Sequence, residues 1–297
     1  DTFEAGDAFG ASGVRMSDQK DDLDASKHFL ELTNREQAML DRVAADYEDI
    51  IVVVNAANAM ELGFVDEYEQ ISSVLWCPGT GQSGFNSLGS ILKGETNPSA
   101  KTSDTFVRDL TKTPTYNNFG FFAYDNMDEF EVDGFVPNFV NYTDGIYVGY
   151  RFYETAAEEG LINYEEMVQY PFGYGLSYTT FEQKMGELEV KDGTISVDVT
   201  VTNTGDAAGK DVVEIYYNPP YTNGGIEKAS VNLIGFEKTE VLEPGESETV
   251  TVTFAEEDMA SYDDINAKAY VLEAGDYEIS LRTDSHTVVD TKTHTVD

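Results

Sequence analysis

Residues that could support chemistry occur in three patterns, and the first is a glycine-rich turn. Gly79 to Gly84, GTGQSG, matches the G-x-G-x-x-G spacing that lets a backbone approach the pyrophosphate of a dinucleotide. That fingerprint requires a second strand ending in an acidic residue about 20 positions later. Glu95 to Asp104 instead has the composition of a loop. We therefore expect the glycines to permit a tight turn and close helix packing, and keep a nucleotide-dependent enzyme as a weaker alternative.

Clusters of acidic residues are the second pattern. The first contains Asp18, Asp21, Asp22 and Asp24, and the second contains Asp125, Asp128, Glu129 and Asp133. Carboxylate oxygens suit Ca²⁺, but neither cluster has the alternating ligands and the glycine at the sixth position of an EF-hand loop. A chain with 56 acidic residues produces such clusters by chance. We predict no metal site from them.

The third pattern is the small set of histidines, His28, His286 and His294, all in polar surroundings. Because the G-x-S-x-G elbow is absent, a Ser-His-Asp centre is not indicated. Cys77 is the only cysteine, so an internal disulfide is excluded, as are zinc sites that require several thiols. The sequence predicts no cofactor.

The charge balance limits the partners that this chain can bind. Its 56 acidic and 18 basic residues give a net charge of -38, which makes nucleic acid and anionic membrane surfaces poor partners. No segment approaches the roughly 18 apolar residues of a membrane helix, and the N-terminus lacks the basic and apolar regions of a signal peptide. We expect a folded, soluble protein of two domains in a compartment that the sequence leaves open.

The first half of the chain alternates helix and strand signals. Thr33 to Glu36, TNRE, is a capping box that predicts the start of a helix. Ile50 to Val54 is an unbroken aliphatic run, typical of a parallel strand that is covered on both faces. The later signals are a helix near Val65 to Ile71, a strand near Val74 to Trp76 and a helix near Phe85 to Leu92. This alternation predicts an α/β domain with an open, mostly parallel sheet flanked by helices.

Two asparagines follow the aliphatic strand directly. Asn55 and Asn58 lie in the polar loop between that strand and Glu61. Open α/β sheets bind ligands at the carboxyl ends of their strands, so we predict that Asn55 and Asn58 contact substrate. The alternative is a structural role in turning the loop.

The second half of the chain has a period of two. Ile195, Val197, Val199 and Val201 alternate with polar residues, and the pattern recurs around Val252 and Ile279. Short strands separated by turn signals predict a β-sandwich. Between the halves, Thr111 to Asn141 is rich in aromatic and acidic residues without a period, and we expect an ordered excursion there. The predicted boundaries are 1–169 for the α/β domain, 170–181 for a linker and 182–297 for the sandwich.

The linker carries a family resemblance. Tyr170 to Phe181, YPFGYGLSYTTF, resembles the segment that joins the second domain of glycoside hydrolase family 3 enzymes to their fibronectin type III-like domain. Other segments resemble the same family in the same order: Ile50 to Asn55, Trp76 to Gly84, Asn97 to Ser99, Gly145 to Tyr153, Val201 to Gly205 and Leu272 to Tyr277. The chain departs from the family pattern at Ser83, where a Glu is usual, and at Ala100 to Ser103. AANAMELGF at Ala56 to Phe64 and YDNMDEF at Tyr124 to Phe130 resemble a subgroup of the family in which the domains run in reversed order, so that the barrel would follow the sandwich.

The resemblance implies part of a retaining β-glycosidase of the β-glucosidase type. Such enzymes use a nucleophile and an acid/base carboxyl about 5 to 5.5 Å apart. In this family the nucleophilic Asp belongs to a (β/α) barrel, which we do not find in this chain, so the resemblance implies a barrel domain or chain as partner and a carbohydrate substrate. The acid/base is usually a Glu in an E-G-x-D-like loop, which Glu4 in EAGD matches most closely. The alternative is a non-catalytic module that binds glycan or protein.

Overall fold

A computed structural model describes residues 24, 26–28, 30–118, 122–126, 129–130 and 138–297. The chain divides into two compact units. The first contains the residues up to Gly79 together with Phe106–Gly145, and the second contains Thr80–Thr105 and Ile146–Asp297. Residues 80–105 and 146–169 therefore group with the sandwich in this division, and the boundaries inferred from the sequence remain a prediction.

The described residues contain short helices and a larger number of strands. The helices are α1 (Asn34–Asp46), α2 (Leu88–Leu92), α3 (Pro114–Asn118), α4 (Tyr150–Glu158) and α5 (Tyr164–Met167). The strands are β1 (Ile50–Val54), β2 (Ile71–Trp76), β3 (Phe106–Val107), β4 (Phe122–Ala123), β5 (Asn138–Phe139), β6 (Val168–Tyr170), β7 (Phe181–Lys191), β8 (Thr194–Asn203), β9 (Val212–Asn218), β10 (Asn232–Lys238), β11 (Ser247–Ala255), β12 (Ser261–Asp263), β13 (Ala269–Val271), β14 (Gly275–Arg282) and β15 (Val288–Val296). An α/β part followed by a strand-rich part confirms the predicted fold class.

The first unit begins with the predicted capping box. The Thr33 hydroxyl accepts a hydrogen bond from the Glu36 amide, while the Glu36 carboxylate accepts one from the Thr33 amide, so both free donors at the start of α1 are satisfied. After α1 the chain enters β1, which pairs in parallel with β2 from Ile50 and Ile71 to Val54 and Trp76. The two strands predicted near Ile50 to Val54 and Val74 to Trp76 are confirmed.

Two details of the first unit differ from expectation. The segment predicted as a helix near Val65 to Ile71 is a short 3-10 helix, Gly63–Glu67, and Ile71 already belongs to β2. Pairing with β1 extends that strand, because the parallel ladder satisfies the backbone groups that a helix would otherwise pair. On β1, Ile51 is 50% exposed and Val53 37% exposed, so the described residues cover only the opposite face.

The described part of the Thr111 to Asn141 excursion contains little regular structure. A 3-10 helix, Leu110–Lys112, precedes α3, and β4 pairs antiparallel with β5 through Phe122 and Phe139. The Tyr124 ring lies with its centroid 4.7 Å from that of Phe139. Aromatic contacts therefore order the described part of the excursion.

The sandwich consists of two sheets in the second unit. Their strand orders are β10-β9-β14-β15 and β11-β8-β7. The alternation predicted from the sequence is confirmed, because Ile195, Val197, Val199 and Val201 on β8 are 1% exposed or less. They form one cluster with Val252, Phe254, Ile279 and Leu281 from other strands. The hydrophobic effect on these inner faces is the main stabilising contribution to this unit.

Candidate functional site

A cleft in the first unit lies at the carboxyl end of β1. Its volume is 390 Å³, and Asn55, Ala56, Ala57 and Asn58 are among the residues that line it. The other lining residues are mainly apolar: Leu30, Leu32, Met39, Leu40, Val52, Val53, Val54, Met60 and Phe64, with Glu31 and Glu36 among them. Both asparagines predicted as substrate contacts therefore line the same cleft; whether they bind substrate stays a prediction.

The asparagine side chains are available to a ligand. Both residues are exposed, and among the described residues neither Asn55 nor Asn58 donates or accepts a side-chain hydrogen bond. An amide group carries donors and an acceptor, which suits the hydroxyl groups of a sugar. An apolar pocket with a few polar groups is the usual form of a small-molecule site.

The loop that carries the asparagines is anchored at its far end. Glu61 Oε1 accepts a hydrogen bond of 2.6 Å from the Leu110 amide and lies 3.1 Å from His28 Nε2. The Glu61 amide in turn donates to the Leu30 carbonyl. No local pattern indicated this anchor, because its partners are distant along the chain.

The glycine-rich turn has the geometry of a tight connection. Gly79 has a φ of 48° and Gly81 a φ of 64°, a left-handed conformation that favours glycine. A Cβ at Gly84 would lie 2.7 Å from Thr80 Cβ, so the turn also requires close packing. The helix that follows, α2, has only five residues, and no strand occurs between residues 95 and 104. The turn-and-packing interpretation explains these features without a nucleotide.

The Asn97 to Ser103 segment, which resembles the family at its first three residues, has a structural role here. The Asn97 side chain accepts hydrogen bonds from the Ser177 hydroxyl and the Tyr178 amide and donates to the Ala208 carbonyl. Thr102 bonds through its hydroxyl to the Pro171 carbonyl. These contacts hold the Tyr170 to Phe181 linker against the rest of the second unit.

A buried carboxylate on α4 joins the helices of the second unit to the sandwich. Glu154 is 5% exposed, and its Oε1 accepts hydrogen bonds of 2.8 Å from Tyr164 and 2.9 Å from Ser285. Its Oε2 lies 2.8 Å from His286 Nδ1, and the His286 ring stacks on Tyr164. The hydrogen bond to Glu154 raises the pKa of His286 above its ordinary value, although desolvation opposes this. These three partners of Glu154 all lie in the second unit, and Glu154 is not among the residues that line the cleft.

A second buried carboxylate lies on β9. Glu214 is 4% exposed, and desolvation raises its pKa to about 7 although Tyr216 donates a hydrogen bond of 2.6 Å to it. Sequence reasoning did not single out Glu154 or Glu214. A signal existed for the latter, since a lone Glu inside the apolar run VVEIYY predicts a carboxylate facing the interior.

The remaining candidates are located as follows. Glu4 lies outside the described residues, as do Asp18, Asp21, Asp22, Asp128 and Asp133. His294 lies 2.6 Å from Glu256, a pair within the second unit. Among the described residues, no group of His, Cys, Asp and Glu side chains has the arrangement of a metal site. None of the described helices has the length and apolar character required to cross a bilayer.

Comparison with known proteins places both units in one family. The glycosyl hydrolase family 3 C-terminal domain matches residues 8–150, and the fibronectin type III-like domain matches residues 211–285. β-Glucosidase A of Butyrivibrio fibrisolvens is 37% identical over 271 residues, which cover 85% of this chain and 30% of that protein. A β-glucosidase of Ruminococcus albus is 37% identical over 257 residues, covering 85% of this chain and 24% of that protein.

Solved structures agree with these matches. A β-glucosidase from Kluyveromyces marxianus in complex with glucose has a TM-score of 0.76 at 28% identity, over 90% of this chain and 29% of that one. β-Glucosidase 3B from Thermotoga neapolitana in complex with glucose has a TM-score of 0.73 at 32% identity, over 90% of this chain and 34% of that one.

The α/β domain and the sandwich that follows it match, in this order, the C-terminal domain of glycosyl hydrolase family 3 and a fibronectin type III-like domain. The chain belongs to glycosyl hydrolase family 3 and carries the C-terminal domain and the fibronectin type III-like domain of that family. It spans 30% and 24% of the two relatives named above.

Proposed function

We propose that this chain is part of a retaining β-glycosidase of the β-glucosidase type that hydrolyses terminal β-linked sugars. The observation that carries the proposal is the alignment of both domains, in order, with β-glucosidases over 85% of the chain. The chain supplies the acid/base side and one wall of the active site. A barrel domain, on the same or another polypeptide, supplies the nucleophile.

In this proposal the residues of the chain bind the sugar and move a proton. Asn55 and Asn58 donate to and accept from sugar hydroxyls at the cleft beyond β1. Glu4 protonates the glycosidic oxygen as the barrel carboxylate forms the glycosyl bond, and then removes a proton from the water that releases the sugar. Closure of the barrel over Glu4 excludes water and raises the pKa of its carboxyl, which keeps the acid protonated before reaction.

Hydrolysis of a panel of aryl β-glycosides tests the proposal. The chain is assayed alone and together with a separately expressed family 3 barrel, with Glu4→Gln as the variant and Asp206→Asn, in a turn of the sandwich, as the matched carboxylate control. We expect hydrolysis only in the mixture, loss of most of it with Glu4→Gln, and no change with Asp206→Asn. Hydrolysis by the chain alone would show that the nucleophile does not require a barrel.

One feature favours the competing class, a non-catalytic interaction module. Tyr124 is 54% exposed and Phe130 56% exposed in the aromatic excursion of the first unit, and exposed aromatic rings can stack on sugars or on a protein partner. A module of this kind binds glycan alone and gives no hydrolysis in any mixture. Calorimetric titration with cello-oligosaccharides, carried out on the chain and on its Tyr124→Ala variant, separates this module from the glycosidase. A module should bind the sugar without a barrel, and Tyr124→Ala should weaken that binding.

A further inference from the structure

His28 and Glu61 form a largely buried pair in the first unit. The His28 side chain is 7% exposed and that of Glu61 17% exposed, with His28 Nε2 3.1 Å from Glu61 Oε1. The same carboxylate oxygen accepts the Leu110 amide at 2.6 Å. The ring of Tyr116 lies with its centroid 5.7 Å from that of His28. A buried imidazole with a carboxylate partner is held in one orientation.

The other ring nitrogen of His28 fixes which tautomer is present. The Leu30 amide donates to His28 Nδ1 at 3.2 Å, so Nδ1 acts as an acceptor and the proton resides on Nε2, facing Glu61. A second proton on Nδ1 would face the Leu30 N–H and eliminate this hydrogen bond. Protonation of His28 therefore releases the Leu30 amide while it strengthens the contact with Glu61.

One partner of His28 lines the cleft, and the other ends the loop that lines it. Leu30 and Leu32 are among the lining residues, as are Asn55 and Asn58 of the loop that ends at Glu61. The Glu61 amide donates to the Leu30 carbonyl at 3.0 Å, which joins the end of the loop to the Leu30 segment directly. His28 therefore contacts both segments, through the Leu30 amide and through the Glu61 carboxylate.

We propose that His28 and Glu61 are positioning residues for sugar binding at the cleft, and that the cleft binds a sugar well only while His28 Nδ1 accepts the Leu30 amide. This inference rests on the proposed function, because it assigns the cleft a sugar. The inference predicts that the affinity of the cleft for a sugar falls as the pH is lowered and His28 becomes protonated.

The charged groups around His28 determine where that titration falls. Desolvation opposes the imidazolium, but the hydrogen bond and charge of Glu61, followed by the charges of Glu31 and Asp109, raise the pKa of His28 above its ordinary value of 6.5. Glu31 lies closest after Glu61, with Oε2 3.5 Å from Nε2. Lys27 and Arg108 line one pocket with Glu31 and Glu61; Lys27 Nζ donates to the Leu32 carbonyl, and Arg108 pairs with Asp66. The change is therefore expected at a pH above that ordinary value.

An NMR titration of the intact chain from about pH 6 to about pH 8.5 tests the coupling without substrate. The side-chain amide resonances of Asn55 and Asn58 should shift with pH, with the same midpoint as the titration of the His28 ring. His28→Gln places an amide N–H at the position of Nε2, toward Glu61, but does not titrate, so it should remove the midpoint. His294→Gln removes another histidine–carboxylate pair and should leave both asparagines unchanged.

Hydrolysis by the chain with its barrel gives the functional test. KM should rise about fivefold as His28 becomes protonated, which corresponds to loss of about one hydrogen bond, with a smaller effect on kcat. His28→Gln should abolish this pH dependence, and His28→Ala should raise KM at every pH. The inference would be overturned if the asparagine resonances did not shift at the midpoint of His28. It would also be overturned if the pH dependence of KM were the same in His28→Gln as in the wild type. Absence of hydrolysis in the wild type would overturn the proposed function instead, while the NMR titration still decides the coupling.

Discussion

Gly173 of the linker lies directly against the buried carboxylate of Glu214. A Cβ built on Gly173 would lie 2.9 Å from Glu214 Oε1 and 3.0 Å from Glu214 Cδ. Gly173 also has a φ of 83°, a conformation that disfavours residues with a side chain. A glycine is therefore required here both by the backbone conformation and by the close approach of Glu214. Its small size lets the linker pass directly over the buried carboxylate of β9.

Gly173→Ala is expected to destabilise the second unit by more than the backbone penalty alone. The left-handed conformation costs about 1 to 2 kcal/mol for a residue with a Cβ, and the contact with Glu214 adds a further cost. Gly193→Ala is the matched control, because Gly193 has a φ of 76° with no atom within 4 Å of its Cβ position. Urea unfolding should show a clearly larger loss at Gly173, and equal losses would mean that the Glu214 contact has no energetic weight.

The pKa of Glu214 predicts a pH dependence of stability. Its value of about 7 lies above the ordinary 4.5, so between these limits the folded state binds more protons than the unfolded state. The free energy of unfolding should therefore fall as pH rises from about 4.5 to about 7, by up to roughly 3 kcal/mol, and then level off. Glu214→Gln should flatten this part of the profile; a wild-type profile that rises over the same range would contradict the assignment.

Glu154→Ala should destabilise the contact between α4 and the sandwich. The substitution removes the acceptor of Tyr164, Ser285 and His286 in a buried site, and we expect a loss of about 3 kcal/mol. Glu154→Gln retains an acceptor and should cost less. The control is Glu187→Ala, since Glu187 pairs with Lys292 while its own side chain is 87% exposed, and surface pairs contribute within about 1 kcal/mol. Similar losses for Glu154→Ala and Glu187→Ala would refute a role for burial.

Asn97→Ala should loosen the linker. Its three side-chain hydrogen bonds reach Ser177, Tyr178 and Ala208, so their loss should cost about 2 to 3 kcal/mol. Hydrogen exchange of the Tyr178 amide should accelerate in this variant, whereas Asn223→Ala, at an exposed turn, should leave that rate unchanged. An unchanged exchange rate of the Tyr178 amide in Asn97→Ala would show that these hydrogen bonds do not hold the linker.

Local patterns in the sequence predicted the elements that local physics controls. The Thr33 capping box involves residues three positions apart, and the alternation along β8 follows from the pleat of a strand, so both were predicted and are confirmed. The helix predicted near Val65 was wrong because pairing of Ile71 with Ile50 extends β2. Tertiary pairing outweighs local propensity at such positions.

The candidate site was predictable only in part. Asn55 and Asn58 were identified because a polar loop follows a buried strand, a relationship visible in the sequence. His28 and Glu61 are 33 residues apart, and Glu154 and His286 are 132 apart, so nothing in the local sequence indicates that either pair meets. These pairings depend on how the elements pack, which a one-dimensional pattern does not contain.

Trapping the glycosyl intermediate is the most direct test of the central claim. A 2-deoxy-2-fluoro-β-glucosyl fluoride reacts with a retaining nucleophile to form a long-lived ester, because the fluorine slows hydrolysis of the intermediate. The active assembly of this chain with its barrel would be treated, digested and mapped by mass spectrometry. We predict that the adduct lies on an Asp of the barrel and that no peptide from these 297 residues carries it. An adduct on a carboxylate of this chain would contradict the division of catalytic roles.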